Sequence, residues 1–207
     1  MIGIFDYGIG NIKSIENALS QIGVRHARIT HDCNDQFEKI IIPGVGAFPN
    51  CIREFNSSGY RQILCDHVNR GGGVLGICVG HQMLFSSSEE FELTKGLSIF
   101  DGVVERLDRR VPNFLGPLPN INWLPLKVSE SQDAPLWIKT FDGRSFYFLH
   151  SFAASSESAN SCGTAEYNGV QFSAIASRGN IIGVQFHPEK SGETGLMFLK
   201  AFSMEEI

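Results

Sequence analysis

A chain of 207 residues, 43% hydrophobic and 19% charged, can bury one substantial core and is too short for two comfortable domains, so a single domain over 1–207 is expected. A net charge of −5 argues against nucleic acid as the main partner, because a phosphate backbone is held by a basic surface. No apolar run approaches the roughly 18 residues of a membrane-spanning helix, which argues against a membrane partner as well.

The first elements alternate between strand and helix. Ile2–Phe5 reads as a buried strand rather than a secretory leader, because Asp6 cuts the apolar run short. Ile12, Ile15, Leu19 and Ile22 then recur at helical spacing behind the turn Gly8–Asn11. Gly8 and Gly10 begin a dinucleotide fingerprint, but Lys13 stands where its third glycine belongs, and the nucleotide reading is set aside. Val24–Ile29 is expected as a second strand and Lys39–Ile42 as a third, ended by Pro43 and followed by the glycine-freed loop Gly44-Val45-Gly46. Tyr60, Ile63, Leu64, His67 and Val68 form one stripe, so a helix is expected over Gly59–Arg70, with His67 packed rather than catalytic. The apolar run Val74–Ile77 leads to Cys78, and Gln82–Phe85 continues as an amphipathic helix. This alternation predicts a parallel sheet covered on both faces, with ligands at the carboxyl ends of the strands.

The second half differs in character. Val103–Leu107 alternates like a strand, and Pro112–Pro125, with four prolines, reads as a long irregular connection. Arg106, Arg109 and Arg110 are expected at a solvated strand end. Leu126–Val128, Ser145–Leu149, Gly163–Tyr167, Val170–Ala176 and Ile181–Gln185 follow as strands, with Asn168-Gly169 and Ser177–Asn180 as turns. An antiparallel meander should therefore extend the parallel sheet. The last helix is expected over Thr194–Phe202, with Leu196, Leu199 and Phe202 on one face.

The five cysteines, Cys33, Cys51, Cys65, Cys78 and Cys162, are odd in number and contain no C-x-x-C pair, which fits a reducing, cytoplasmic setting and calls for no metal or other cofactor. Cys78 differs from the rest because Gly76 and Gly80 flank it two residues away on each side. Strand, sharp turn and helix let such a residue hold a strained backbone and present its sulfur above the end of the sheet, at a helix N-terminus that favours thiolate. Taken alone, the stretch fits a buried core cysteine equally well, and a His-Pro-Glu triplet alone is a common accident. Here His187-Pro188-Glu189 also follows an apolar strand, with i and i+2 projecting together, so the imidazole can take the thiol proton and the carboxylate can orient the ring. Oxyanion donors are expected from the N–H of Val79 and from the Val45–Gly46 loop. If the peptide at Val45 rests with its carbonyl toward the site, one donor is missing until something turns it.

Gly76–Gln82 together with Gln185–Glu189 resembles the class I, triad-type, glutamine amidotransferases. The segments Asp6–Asn11, Pro43–Phe48, Ser87–Glu90, Tyr147–Phe152 and His187–Ser191 are similar to those of the glutaminase subunits of imidazole glycerol phosphate synthases, over nearly the whole chain. The resemblance implies a flavodoxin-like sheet, hydrolysis of glutamine through a thioester on Cys78, and delivery of ammonia to a (β/α)8-barrel cyclase subunit that makes imidazole glycerol phosphate in histidine biosynthesis. It assigns His187 as base and acid and Glu189 as the orienting carboxylate. Gln82, Glu90 and the main chain at Val45–Gly46 and Ser151–Phe152 match glutamine-binding positions. Asn11, Trp123, Tyr147 and Lys190 match the subunit interface and ammonia exit. His81, Asn122 and Phe152 depart from that subfamily's usual residues. Two alternatives stay open: a glutaminase serving another acceptor, such as a surface-polysaccharide sugar, and a non-catalytic or redox-sensing flavodoxin-like protein.

Overall fold

The computed structural model describes residues 1–30, 37–129 and 135–204; Cys33 lies outside them. The first half contains β1 (Ile2–Phe5), α1 (Ile12–Gln21), β2 (His26–Ile29), β3 (Lys39–Ile42), α2 (Phe48–Ser57), α3 (Tyr60–Asn69), β4 (Gly73–Ile77) and the short α4 (Val79–Met83). The second half contains β5 (Phe85–Ser88), β6 (Thr94–Lys95), β7 (Phe100–Arg106), β8 (Asn120–Pro125), β9 (Lys127–Val128), β10 (Ser145–His150), β11 (Phe152–Ala154), β12 (Ser161–Tyr167), β13 (Val170–Arg178), β14 (Ile181–Val184) and α5 (Gly192–Met204). Eight strands form the main sheet in the order β2-β1-β3-β4-β14-β13-β12-β9. The first five run parallel, and the sheet turns antiparallel at the β14–β13 pair.

β1, β4 and β14 are buried along their whole length, as their unbroken apolar runs require of central parallel strands. The helices seal the faces with helical stripes: Ile12, Ile15, Ala18 and Leu19 from α1, and Phe48, Cys51, Ile52 and Phe55 from α2. His67 is buried in α3 with Nε2 3.1 Å from the Gly73 carbonyl, a packed residue as expected. β4 and β14 are neighbours, and both Cys78 and His187 lie just beyond their carboxyl ends.

Several expectations are corrected. Gln82–Phe85 is not a helix: α4 stops at Met83, because the chain from Leu97 to Phe100 takes the carbonyls of Met83 and Leu84 and draws Phe85 into β5. The Pro112–Pro125 connection ends in a full strand, since Asn120–Pro125 pairs over six residues with β10 and its only internal proline is the last residue. That pair is a separate ribbon, and β7 belongs to a four-stranded sheet in the order β11-β7-β5-β6, so neither Ser145–Leu149 nor Val103–Leu107 extends the main sheet. The antiparallel extension consists of β13, β12 and β9. In α5 the buried stripe is Gly195, Phe198, Leu199 and Phe202, with Leu196 half-buried at its side. Arg110 is not solvated: it donates to the carbonyls of Ala153 and Ala154, while Arg106 and Arg109 pair with Asp108 and Glu89.

Candidate active site

Cys78 carries φ +54° and ψ −110°, a strained combination for a residue with a side chain. Close packing explains the glycines around it. A Cβ on Gly80 would collide with the Ile42 carbonyl oxygen at the end of β3, and one on Gly76 would lie 2.8 Å from the Gly80 carbonyl oxygen. A Cβ on Gly44 would in turn collide with the Gly80 nitrogen. The cysteine turn and the 44–46 loop thus touch backbone to backbone.

His187 is buried, and its Nδ1 lies 2.8 Å from Glu189 Oε1, so Nδ1 carries the proton and donates it to the carboxylate. Burial works against a charged imidazole here, but the interactions with Cys78 and then Glu189 outweigh it and raise the His187 pKa to about 10. Ser191 braces the turn: its hydroxyl donates to the His187 carbonyl at 2.6 Å and accepts the Tyr147 N–H at 3.0 Å. The sulfur of Cys78 lies 3.8 Å from the Leu149 carbonyl and 3.8 Å from Gln185 Nε2.

A cavity of about 210 Å³ opens on the cysteine. Val45, Gly46, Val79, Gln82 and Glu90 line it with Cys78 and His187, as do Ser151 and Phe152 from the chain after β10. Every residue expected at the triad, oxyanion and glutamine positions therefore touches this cavity except Glu189, which stands behind His187. Glu90 accepts the Phe48 N–H at 2.7 Å, and burial holds its carboxyl above the ordinary range. Gln82 Nε2 donates to the Phe152 carbonyl at 2.8 Å and to Gln185 Oε1 at 3.0 Å. The Val45 carbonyl accepts from Cys51 Sγ at 3.3 Å, and Cys51 does not line the cavity. The neighbouring trans Gly44–Val45 peptide has no hydrogen bond at its carbonyl or N–H among the described residues.

The interface candidates sit apart from the cavity. Trp123 on β8 is 54% exposed, as is Ile121 two residues before it on the same face. Tyr147 pairs with Trp123 edge-to-face at 5.9 Å, and its ring centroid lies 6.4 Å from that of His187. Lys190 is exposed, and Asn11 begins α1 without a side-chain cap bond. Among the described residues no group of three or more His, Cys, Asp or Glu is placed to hold a metal ion.

A second polar chain escaped the sequence reading. Asn122 donates to Asn120 at 2.8 Å, and Asn120 donates to His150 Nε2 at 3.1 Å. His150 Nδ1 donates to the Phe152 carbonyl at 3.0 Å. Strand alternation at Asn120 and Asn122 was the available signal, hidden by the neighbouring prolines.

The scan for known families matches Gly3 to Glu205 to the class-I glutamine amidotransferase domain. The chain belongs to that family. The amidotransferase is 40% identical over 205 residues to the imidazole glycerol phosphate synthase subunit HisH of Bacillus cytotoxicus, covering 98% of this chain and 93% of that one. It is also 40% identical to the HisH subunit of Caldanaerobacter subterraneus subsp. tengcongensis, covering 98% and 97%. Among solved structures, one described as a glutamine amidotransferase superposes with a TM-score of 0.72 at 15% identity, covering 98% and 97%. PurLQS from Thermotoga maritima superposes with a TM-score of 0.72 at 19% identity, covering 97% and 96%. The flavodoxin-like fold is shared with these.

Two buried histidines are expected to make the amidotransferase acid-sensitive. Burial drives His81 to a pKa of about 3 against an opposing pull from the Ser173 backbone, and among the described residues neither ring nitrogen has a partner in hydrogen-bond geometry. Burial also drives His150 to about 3, against the Phe152 carbonyl and helped by the nearby positive charges of His187 and Arg110. Both pKa values are depressed on folding, so the unfolded chain binds more protons below pH 6.5 and each histidine removes stability as pH falls from 6.5 toward 3. The cost is about 1.4 kcal/mol per pH unit for each. Urea midpoints measured from pH 7 to 4 should fall steeply, and His81→Met should fall along a shallower slope. Equal slopes would mean that His81 does not titrate on unfolding.

Proposed function

We propose that residues 1–207 form one amidotransferase domain that hydrolyses glutamine to glutamate and ammonia through a thioester on Cys78, as the glutaminase subunit of imidazole glycerol phosphate synthase in histidine biosynthesis. The observation that carries the chemistry is the buried His187–Glu189 pair facing a cysteine on a strained turn. The thiolate attacks the side-chain amide carbon of glutamine, and the oxyanion is met by the N–H of Val79 and an N–H of the Val45–Gly46 loop. His187 gives its proton to the departing nitrogen, ammonia leaves, and the thioester remains on sulfur. Water then gives a proton to His187 and attacks the thioester carbon; the C–S bond breaks, glutamate leaves and the thiolate returns. Glu90, Gln82 and the Ser151–Phe152 main chain hold the amino-acid end.

The pathway assignment is supported by the HisH relatives, at 40% identity over nearly the whole chain. Ammonia passes to a (β/α)8-barrel cyclase subunit that docks over Asn11, Trp123, Tyr147 and Lys190. The exposed apolar strip of Ile121 and Trp123, close to His187 through Tyr147, supports that surface. Docking also favours the Gly44–Val45 peptide with its N–H toward the oxyanion, which it does by binding that state more tightly. A missing donor is worth roughly 10²–10³ in rate. Glutaminase turnover of the chain alone should therefore be low and should rise by about that factor with the cyclase and its nucleotide ligand. Equal turnover in both conditions removes the switch, and failure of the two proteins to associate removes the pathway assignment.

A further inference from the structure

Gln185 follows β14, two residues before His187, and is completely buried. A buried primary amide is costly unless its hydrogen-bonding groups are used. Its backbone N–H donates to the Ala174 carbonyl at 2.9 Å, which anchors the residue in the sheet. Its side-chain oxygen accepts Gln82 Nε2 at 3.0 Å. Its side-chain nitrogen has the sulfur of Cys78 as partner, at 3.8 Å.

The direction of this chain follows from its far end. The Phe152 carbonyl can only accept, so Gln82 must turn its NH₂ toward it, and that same NH₂ reaches Gln185. Gln185 must then present oxygen to Gln82 and nitrogen to Cys78. The sulfur thus lies between two opposite influences. The Leu149 carbonyl at 3.8 Å accepts a proton from S–H and favours the thiol. The Gln185 N–H donates and favours the anion.

We propose that Gln185 is a further member of the catalytic centre: its amide N–H donates to the Cys78 sulfur, stabilises the thiolate, and ties the nucleophile through Gln82 to the Phe152 backbone of the cavity. Two steps use this bond. It raises the fraction of Cys78 present as thiolate before attack, and it receives the thiolate again when the C–S bond of the thioester breaks. The residue does not line the cavity, so its direct contact with the reacting atoms is with the sulfur.

The kinetic consequence rests on the glutaminase reading; the thiol consequence does not. The test is therefore made first without glutamine. The full chain, wild type and Gln185→Leu, is alkylated with iodoacetamide across pH, with Cys78 followed by peptide mass spectrometry, since Cys65 is exposed and reacts as well. The alkylation midpoint of Cys78 should rise by about one to two pH units in the variant, the effect of losing one hydrogen bond to a charged group. Glutamine turnover at neutral pH should fall by about 10-fold or more in kcat. Gln185→Met and Gln185→Glu preserve the volume and serve if the leucine variant does not fold. Gln185→Glu should raise the midpoint further, because it sets a carboxylate against the sulfur. An unchanged Cys78 midpoint in every folded variant overturns the proposal. A midpoint that shifts in the variant, together with a wild-type protein that never hydrolyses glutamine, keeps the donor and removes the glutaminase.

Discussion

Replacing Cys78 by alanine is expected to reduce glutamine hydrolysis by about 10⁴-fold or more, while ammonia-dependent synthesis by the proposed complex with a cyclase continues. Alanine keeps Cβ, so the positive-φ turn and the packing of Gly76 and Gly80 are retained and only the sulfur is lost. The remaining rate would come from the oxyanion donors and binding alone. A glutamine-like electrophile should label Cys78 and leave Cys51 untouched, although Cys51 lies directly behind the Val45 loop. Burial first, then the nearby negative charges of Cys78 and Glu90, push the Cys51 thiol up to about 12, so it stays neutral and unreactive. Turnover near wild type in Cys78→Ala would sink the thioester mechanism.

The second large effect separates the two partners of the cysteine. His187→Ala should cost about as much as losing Cys78, because proton delivery to the leaving nitrogen goes with it. Glu189→Gln should cost roughly 10²-fold less, since an amide oxygen can still accept from Nδ1 and keep the ring oriented. Its signature lies in the pH profile. Loss of the negative neighbour lowers the His187 pKa from about 10, so the alkaline limb of the rate profile should move to lower pH. A greater loss in Glu189→Gln than in His187→Ala would make Glu189 the proton carrier and reverse these roles.

The parts legible in the sequence were those written in short range. Glycines two residues to either side of Cys78 reported a tight turn, and i, i+2 spacing brought His187 and Glu189 together. Asn168 and Gly169 both take positive φ, as the two-residue hairpin signal required. Long-range pairing was hidden. β8 was masked by prolines that fall before it or at its last residue, and β5 by a segment whose apolar spacing suits a helix until the 97–100 chain claims its carbonyls. The Gln82–Gln185 and Asn120–His150 contacts span 103 and 30 residues, and nothing in local composition distinguishes those side chains from ordinary polar residues.

The contact of Gly80 with the end of β3, and of Gly44 with Gly80, has a mechanical meaning. Side chains absorb small displacements by changing rotamer, and at these glycines the nearest atoms are mostly main chain, with the rigid Cβ of Val79 beside them. The spacing between the cysteine turn and the loop opposite is therefore set by main chain packed too closely to admit a side chain. A push on the Pro43–Gly46 segment from outside therefore has little side chain to compress before it meets the cysteine turn.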